Sequence, residues 1–238
     1  MAATTDRVVR DGLVTLLALT SGAVDATSFL VLGQVFSSVM TGNLILLGVA
    51  ASNHDATQAI HAGVAIAAYG AGVLAGAPMA ARGSGASGQG RIWPPAVTLT
   101  LALELCLLVA FAVGWELSPA SHHGGEGLAL LILLAAAMGM QSAAVSRLGK
   151  MSSTYMTGTL TGVLIGLVTR SGRDGRWRDV TALAAVAIGA LTAGLLVSTA
   201  PAWVPAIVLA PQAAVTGVAA IRFGRRSSGG AATSPGAG

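Results

Sequence analysis

One stretch of this sequence occurs twice and decides how the chain is organised. Residues 32–44 read Leu-Gly-Gln-Val-Phe-Ser-Ser-Val-Met-Thr-Gly-Asn-Leu, and residues 148–160 read Leu-Gly-Lys-Met-Ser-Ser-Thr-Tyr-Met-Thr-Gly-Thr-Leu. They align without a gap at an offset of 116, and seven of the thirteen positions are identical. Such agreement indicates an internal repeat. We expect two homologous halves, residues 10–116 and 126–222, followed by a disordered cytoplasmic tail at 223–238.

The composition is that of an integral membrane protein. Of the 238 residues, 54% are hydrophobic and 9% are charged, whereas a soluble domain carries about 25% charged residues. So few charges exclude a soluble monomer and a disordered chain. The net charge of +4 comes from short basic clusters between apolar runs, which orient a membrane protein and do not indicate a nucleic-acid partner.

Six apolar runs are long enough to cross a bilayer as helices of about 20 residues. They occupy residues 12–32, 57–80, 95–116, 127–145, 179–199 and 202–221. Two further runs, 35–51 and 153–168, are polar in their first halves, so their apolar parts are too short to span. A cleaved signal peptide is disfavoured because the first apolar run continues past the candidate cleavage site.

The basic residues separate two topologies. If all eight runs crossed, the loop at 117–126, which has no Lys or Arg, would lie inside and two basic loops outside, against the positive-inside rule. If the two short runs are re-entrant, all thirteen basic residues are cytoplasmic, as are both termini. We therefore predict an all-α integral membrane protein with six transmembrane helices plus two re-entrant half-helix segments. Three crossings per half make an inverted 3+3 internal repeat, as in many secondary transporters.

The polar parts of the short runs form the first candidate site. In each short run, extended backbone would enter the membrane as far as a Thr-Gly turn, and a half helix would lead back to the same side. In the first run Thr41 or Asn43 would be the N-cap of this half helix. The free N–H groups of such a helix start favour an anion or a carbonyl-rich solute. The alternative interpretation is close packing of small residues between helices. The candidate substrate-binding residues are Thr41, Gly42, Asn43, Thr157, Gly158 and Thr159.

Two acidic residues lie within predicted spans. Asp25 and Glu104 would each cost about 2.5–3.5 kcal/mol if they faced lipid, so we expect them to face the helix bundle or to be protonated. They are candidates for carrying a proton or binding a coupling cation, and Gln141 stands at the position equivalent to Asp25 in the second half. The alternative is a neutral acid that hydrogen-bonds a neighbouring helix. No metal or cofactor site is expected, because the histidines lack ligand spacing.

Four segments resemble the two signatures of the YoaK-type family of bacterial membrane proteins, known as domain of unknown function 1275. They are Ser-Gly-Ala-Val-Asp-Ala-Thr-Ser-Phe at 21–29, Met-Thr-Gly-Asn at 40–43, Gly-Met-Gln-Ser-Ala-Ala at 139–144 and Thr-Gly-Thr-Leu at 157–160. The resemblance covers about residues 10–222. It implies a multi-spanning bacterial protein with about six helices, in the plasma (inner) membrane, and it implies no activity.

The function that these features favour is a small secondary transporter or permease, which binds a small polar or anionic solute near the membrane midplane. A channel or facilitator with the same re-entrant loops is the second hypothesis, and an accessory membrane protein is the third. An enzyme is not expected, since no nucleophile–base pair or nucleotide loop is present in the sequence. The expected partners are the lipid bilayer and a small molecule or ion; a homodimer is compatible with a six-span unit but no residue requires one.

Overall fold

The computed structural model describes residues 2–82, 92–118, 124–148, 156–169 and 173–224, and every regular element in these ranges is helical. The α-helices are α1 (Ala2–Val31), α2 (Met40–Ser52), α3 (Ala56–Ala80), α4 (Pro95–Leu117), α5 (Gly125–Val145), α6 (Met156–Thr169), α7 (Arg173–Thr199) and α8 (Val204–Ala219). Short 3-10 turns follow α5 at Ser146–Leu148 and precede α8 at Pro201–Trp203, and a π turn at Ala220–Gly224 ends the described chain. Residues 223 and 224 therefore belong to this last turn and not to a tail. The rest of the predicted tail lies outside the described residues.

Six helical segments are long and apolar enough to cross a membrane, so the six predicted spans are confirmed. They are Thr4–Val31, Ala56–Ala80, Pro95–Leu117, Gly125–Leu148, Arg176–Thr199 and Pro201–Gly224. The first helix begins ten residues earlier than its apolar run because ion pairs hold its polar first turns. Asp6 accepts from Arg222 at 3.2 Å, and Arg178 lies 3.2 Å from Asp11.

The two remaining helices, α2 and α6, are much shorter, at 13 and 14 residues. At ~1.5 Å per residue each is about 20 Å long, well short of a hydrocarbon core of about 30 Å. Helix α2 begins at Met40 with Val39 as its N-cap and without a side-chain cap. The expectation that Thr41 or Asn43 caps this helix is wrong, because both lie inside its first turn. The re-entrant path of the two short runs stays a prediction, and residues 153–155 of the second lie outside the described residues.

Two apolar clusters show which helix ends meet. In one, the start of α1 packs with the start of α4 and the ends of α5 and α8, and the rings of Trp93 and Phe223 stack with centroids 5.6 Å apart. In the other, the ends of α1 and α4 pack with the starts of α3, α5 and α8, and Trp115 Nε1 donates to the Pro201 carbonyl at 3.1 Å. We call these the Trp93 end and the Trp115 end of the bundle. The helices α1, α4 and α7 thus run towards the Trp115 end, and α3, α5 and α8 run away from it.

Glycines bring α1 and α7 into backbone contact. A Cβ atom on Gly22 of α1 would lie 2.0 Å from the carbonyl oxygen of Val186, and one on Gly189 of α7 would lie 2.1 Å from that of Leu19. No side chain fits at these distances, so the close approach requires glycine at both positions.

The interface of α3 with α5 is built in the same way. A Cβ atom on Gly72 would lie 2.1 Å from the Ala136 carbonyl oxygen, and one on Gly139 would lie 2.2 Å from that of Tyr69. In sequence, Gly139 follows Gly22 by 117 residues, and Gly189 of the α7 interface follows Gly72 by the same 117. Each close pair therefore takes one helix from each predicted half. The division into two halves and their inversion stay predictions.

Candidate functional site

Between α1 and α2 the chain doubles back along α1. We call residues 32–39 the descending segment. Three side-chain pairs join it to α1: Phe36 stacks on Phe29 with centroids 5.2 Å apart, the hydroxyls of Ser37 and Ser28 are 2.6 Å apart, and those of Ser38 and Ser21 are 2.9 Å apart. Since Ser21 precedes the end of α1 at Val31 by ten residues, the segment runs back about 15 Å along the helix axis.

The carboxylate of Asp25 binds the end of the descending segment. Its Oδ1 accepts the backbone N–H groups of Ser37, at 2.8 Å, and Ser38, at 2.7 Å. Its Oδ2 accepts the Ser38 hydroxyl at 2.5 Å. Among the described residues no Lys or Arg forms an ion pair with Asp25. This carboxylate is therefore held by neutral donors alone.

Asn43 secures the same segment from the side of α2. Its amide Oδ1 accepts from the backbone N–H of Phe36 at 2.9 Å, and its Nδ2 donates to the Phe36 carbonyl at 2.6 Å. Asn43 is fully buried. Non-helical backbone among apolar helices must find its hydrogen bonds within the protein. Asn43 and Asp25 together satisfy four such backbone groups, and this explains why Asn43 is not free to cap α2.

An open groove of about 380 Å³ lies against Asp25. It is bounded by α1, the descending segment and α7, and its walls are nearly all apolar. Asp25 is the one ionisable residue among those that line it, and it is only partly buried. A small solute in this groove would meet the Asp25 side chain, whereas Ser37 and Ser38, which hold it, are buried and do not line the groove.

A second polar cluster, which we call the Glu104 cluster, joins α4, α5 and α8. Glu104 Oε1 accepts from Gln141 Nε2 at 3.1 Å, and Oε2 accepts from Gln212 Nε2 at 2.8 Å. All three side chains are at most 2% exposed, so the expectation that Glu104 faces the bundle is confirmed. Gln141 therefore bonds Glu104 and makes no hydrogen bond to Asp25, although the repeat aligns it with Asp25. Gln212, which lies near the middle of α8, was not among the predicted site residues.

The two Thr-Gly segments make no hydrogen bond to each other. Helix α2 packs mainly on α3, and α6 packs mainly on α7. In the first segment, the Asn43 side chain bonds the Phe36 backbone, whereas Thr41 is exposed and Gly42 has no side chain. In the second, Thr157 and Gly158 are exposed and Thr159 is half-buried. Ser37 and Ser38, which hold Asp25, were not among the predicted site residues, although the repeat aligns them with Ser153 and Thr154.

The part of the chain that the structure describes contains no group of three or more His, Cys, Asp or Glu side chains that could hold a metal ion. The single cysteine, Cys106, is exposed on α4. Away from the helix ends, the described acidic side chains are those of Asp25 and Glu104, and each is held by neutral donors.

The sequence matches a known family over most of its length. The profile of the family described as "Protein of unknown function (DUF1275)" matches residues 13–218. The chain belongs to this family. The resemblance indicated by the Asp25 and Thr-Gly signatures is therefore confirmed, and both polar clusters lie inside the matched residues.

One curated relative is the "UPF0700 transmembrane protein YoaK" of Bacillus subtilis (strain 168). It is 35% identical over 158 residues, which are 65% of this chain and 66% of the relative. The aligned part thus spans slightly less than two thirds of that relative. No solved structure matches the chain. The protein is a multi-spanning membrane protein of an uncharacterised family.

Proposed function

We propose that this protein is a small secondary transporter for a small polar or anionic solute, and that the solute competes with Asp25 for the donors of the descending segment. The observation that carries this proposal is the set of three donors from Ser37 and Ser38 on the Asp25 carboxylate, beside an open groove. Two backbone N–H groups and a hydroxyl that bind one carboxylate can bind another of similar size.

Protonation of Asp25 is the step that would couple a proton to the solute. Hydrogen bonds to an ionised acceptor are roughly twice as strong as those to a neutral one. A proton on Asp25 therefore weakens its hold on Ser37 and Ser38 and frees these donors for an anion that enters from the groove and displaces the Asp25 side chain from them. Proton and anion then favour each other's binding, and together they add no net charge to the site. This is the thermodynamic linkage that symport requires.

In this proposal Asn43 holds the descending segment in place and does not touch the solute. The equivalent donors of the second half would be residues 153 and 154, which lie outside the described residues. Thr157, Gly158 and Thr159 would follow them, as Thr41, Gly42 and Asn43 follow Ser37 and Ser38.

The contacts at the Trp115 end support the re-entrant path of the first short run. Gln58, in the first turn of α3, donates from its side chain to the Gln34 carbonyl at 3.3 Å. The start of the descending segment therefore lies beside the start of α3, which follows α2, so the first short run begins and ends at the same end of the bundle. The glycine-lined interfaces support the inverted repeat, since exchanging the two halves maps the pair α1 and α7 onto the pair α5 and α3.

The charges of the described residues support the proposed orientation. Basic side chains lie at the Trp93 end, and the Trp115 end has none in residues 32–55, 124–126 and 200–203. The positive-inside rule then puts the Trp93 end, with both chain termini, in the cytoplasm of a bacterial cell.

Proteoliposomes that contain a pH-sensitive dye in the lumen test the coupling. We expect the wild-type protein to acidify the lumen when one class of small anion (a short monocarboxylate, phosphate or sulfate) is added outside. Asp25→Asn preserves the shape of the side chain but cannot exchange a proton, so it should abolish this acidification. Asp55→Asn is the matched control, because Asp55 is an exposed N-cap of α3 and Asn caps equally well.

Protein-free liposomes give the baseline for weak acids that cross lipid unaided. If no anion moves protons above this baseline, the proposal is wrong. If a labelled solute is taken up, and neither Asp25→Asn nor a pH gradient changes this uptake, the facilitator hypothesis replaces the proposed symport.

A further inference from the structure

Among the residues that the structure describes, none supplies a counter-charge to the Glu104 cluster. Its carboxylate is fully buried between α4, α5 and α8 and receives only the two glutamine amides. Every ion pair among the described side chains lies elsewhere, on Asp6 or Asp11 near the start of α1. A buried carboxylate without a cation is unfavourable, because the low dielectric of the interior does not replace the water that it has lost.

The cluster also lacks a hydrogen-bond partner for one of its own oxygens. Gln212 Oε1 is buried and accepts no hydrogen bond from any described residue, while Nε2 of the same amide bonds Glu104 at 2.8 Å. Because the two atoms belong to one planar amide, this oxygen lies next to the carboxylate that lacks a counter-charge. Buried acceptors without a partner are rare and require an explanation.

We propose that Glu104, Gln212 and Gln141 form a binding site for one small monovalent cation, with Na⁺ as the probe. Such a cation supplies the missing charge to Glu104 and the missing partner to Gln212 Oε1 at the same time. Carboxylate and amide oxygens are the hard ligands that such cations prefer. A divalent cation does not fit, because one carboxylate would leave a net positive charge buried in the bundle.

The two glutamines explain how the site stays ordered when it is empty. An amide has donors at one end and an acceptor at the other, so Gln212 can bond the carboxylate through nitrogen and the cation through oxygen, and Gln141 can turn its oxygen to the cation by rotation of its amide. Thr100 offers a further oxygen: it lies one turn before Glu104 on the same face of α4 and is fully buried. Its hydroxyl proton is used on the Ala96 carbonyl, which leaves its lone pairs available.

The site is tested on the purified full-length chain in detergent, without any transport measurement, so the result is independent of the function proposed for Asp25. The melting temperature is followed while NaCl replaces choline chloride at constant ionic strength and pH. We expect a saturable rise of several degrees with Na⁺, since a ligand that binds only the folded state stabilises it by mass action. Glu104→Gln should raise the half-saturating Na⁺ concentration more than tenfold, and Asp25→Asn should leave it unchanged.

If Na⁺ and choline give the same melting curve, or if the Na⁺ response survives Glu104→Gln, the proposal is overturned. A stabilisation that follows pH through Glu104 but not Na⁺ would assign the site to a proton and would likewise overturn it. Should Glu104→Gln fail to fold, equilibrium binding of radioactive ²²Na⁺ to the wild-type protein decides: one site per chain supports the proposal, and none refutes it.

Discussion

Replacement of Gly72 by alanine should separate α3 from α5. A Cβ atom at this position would lie 2.1 Å from the Ala136 carbonyl oxygen and 2.9 Å from its carbon. Ordinary contacts of this kind begin at 3.4 Å, so the two backbones must move apart by about 1 Å. Overpacking of this size costs about 1–3 kcal/mol of unfolding free energy. Both atoms belong to the backbone, so no side-chain rotation can relieve the clash.

Gly70 provides the matched control on the same helix. A Cβ atom there meets nothing within 4 Å, and alanine is about 1 kcal/mol better than glycine in a helix interior. Gly70→Ala should therefore leave stability unchanged or raise it slightly. Thermal unfolding and SDS titration in mild detergent, both followed by circular dichroism, measure the difference between the variants.

Gly70 and Gly72 are only two residues apart, so Gly72→Ala should have a lower melting temperature than Gly70→Ala because of the contact with α5 alone. Equal melting temperatures for the two variants would refute the close approach of α3 and α5, as would stabilisation by Gly72→Ala. A large loss with both variants would show that glycine is required in α3 for a reason other than this interface.

Asn43→Leu should lower the unfolding free energy by about 2–5 kcal/mol, because it leaves two backbone groups of the descending segment unpaired. Thr41→Ala, on the exposed face, should change it by less than about 0.5 kcal/mol. Thermal melts of both variants measure this difference, and equal effects would contradict the prediction. Ser38→Ala removes the hydroxyl bond to the carboxylate on α1 and should lower the unfolding free energy by about 1–3 kcal/mol in the same melts, so an unchanged melting temperature would argue against that bond. Cysteines introduced at Gln34 and Ser52, in a variant without the native cysteine, should both react with an impermeant maleimide from the outer side of intact cells. Labelling from opposite sides would exclude the re-entrant path.

The spans were predictable from the sequence because membrane crossing depends on length and hydropathy alone. The six apolar runs appear as six helices with ends close to those expected. The exception is the start of α1, where Asp6 and Asp11 make a polar stretch helical through bonds to Arg222 and Arg178. These partners lie more than 160 residues away in the chain, so no local pattern could reveal them.

The interior of the bundle was less predictable, because uniformly apolar helices have no polar face from which orientation can be inferred. The sequence singled out Asp25 and Glu104 by their depth but could not assign their partners. The repeat aligned Gln141 with Asp25 as its equivalent in the second half, but it could not show that the Gln141 side chain bonds Glu104 on α4. Asn43 was expected to cap a helix because of its residue type. It holds Phe36 instead, and this role could not be predicted because it depends on the path of the descending segment.

The interleaving of helices has a consequence for biosynthesis. The close partner of α1 is α7, which leaves the ribosome only after five other helices have been made. Until then, the face of α1 around Gly22 that packs on α7 is without its close partner. The contact between α1 and α7 therefore forms only after nearly the whole polypeptide has been made, and loss of α7 by truncation would leave α1 without its main partner.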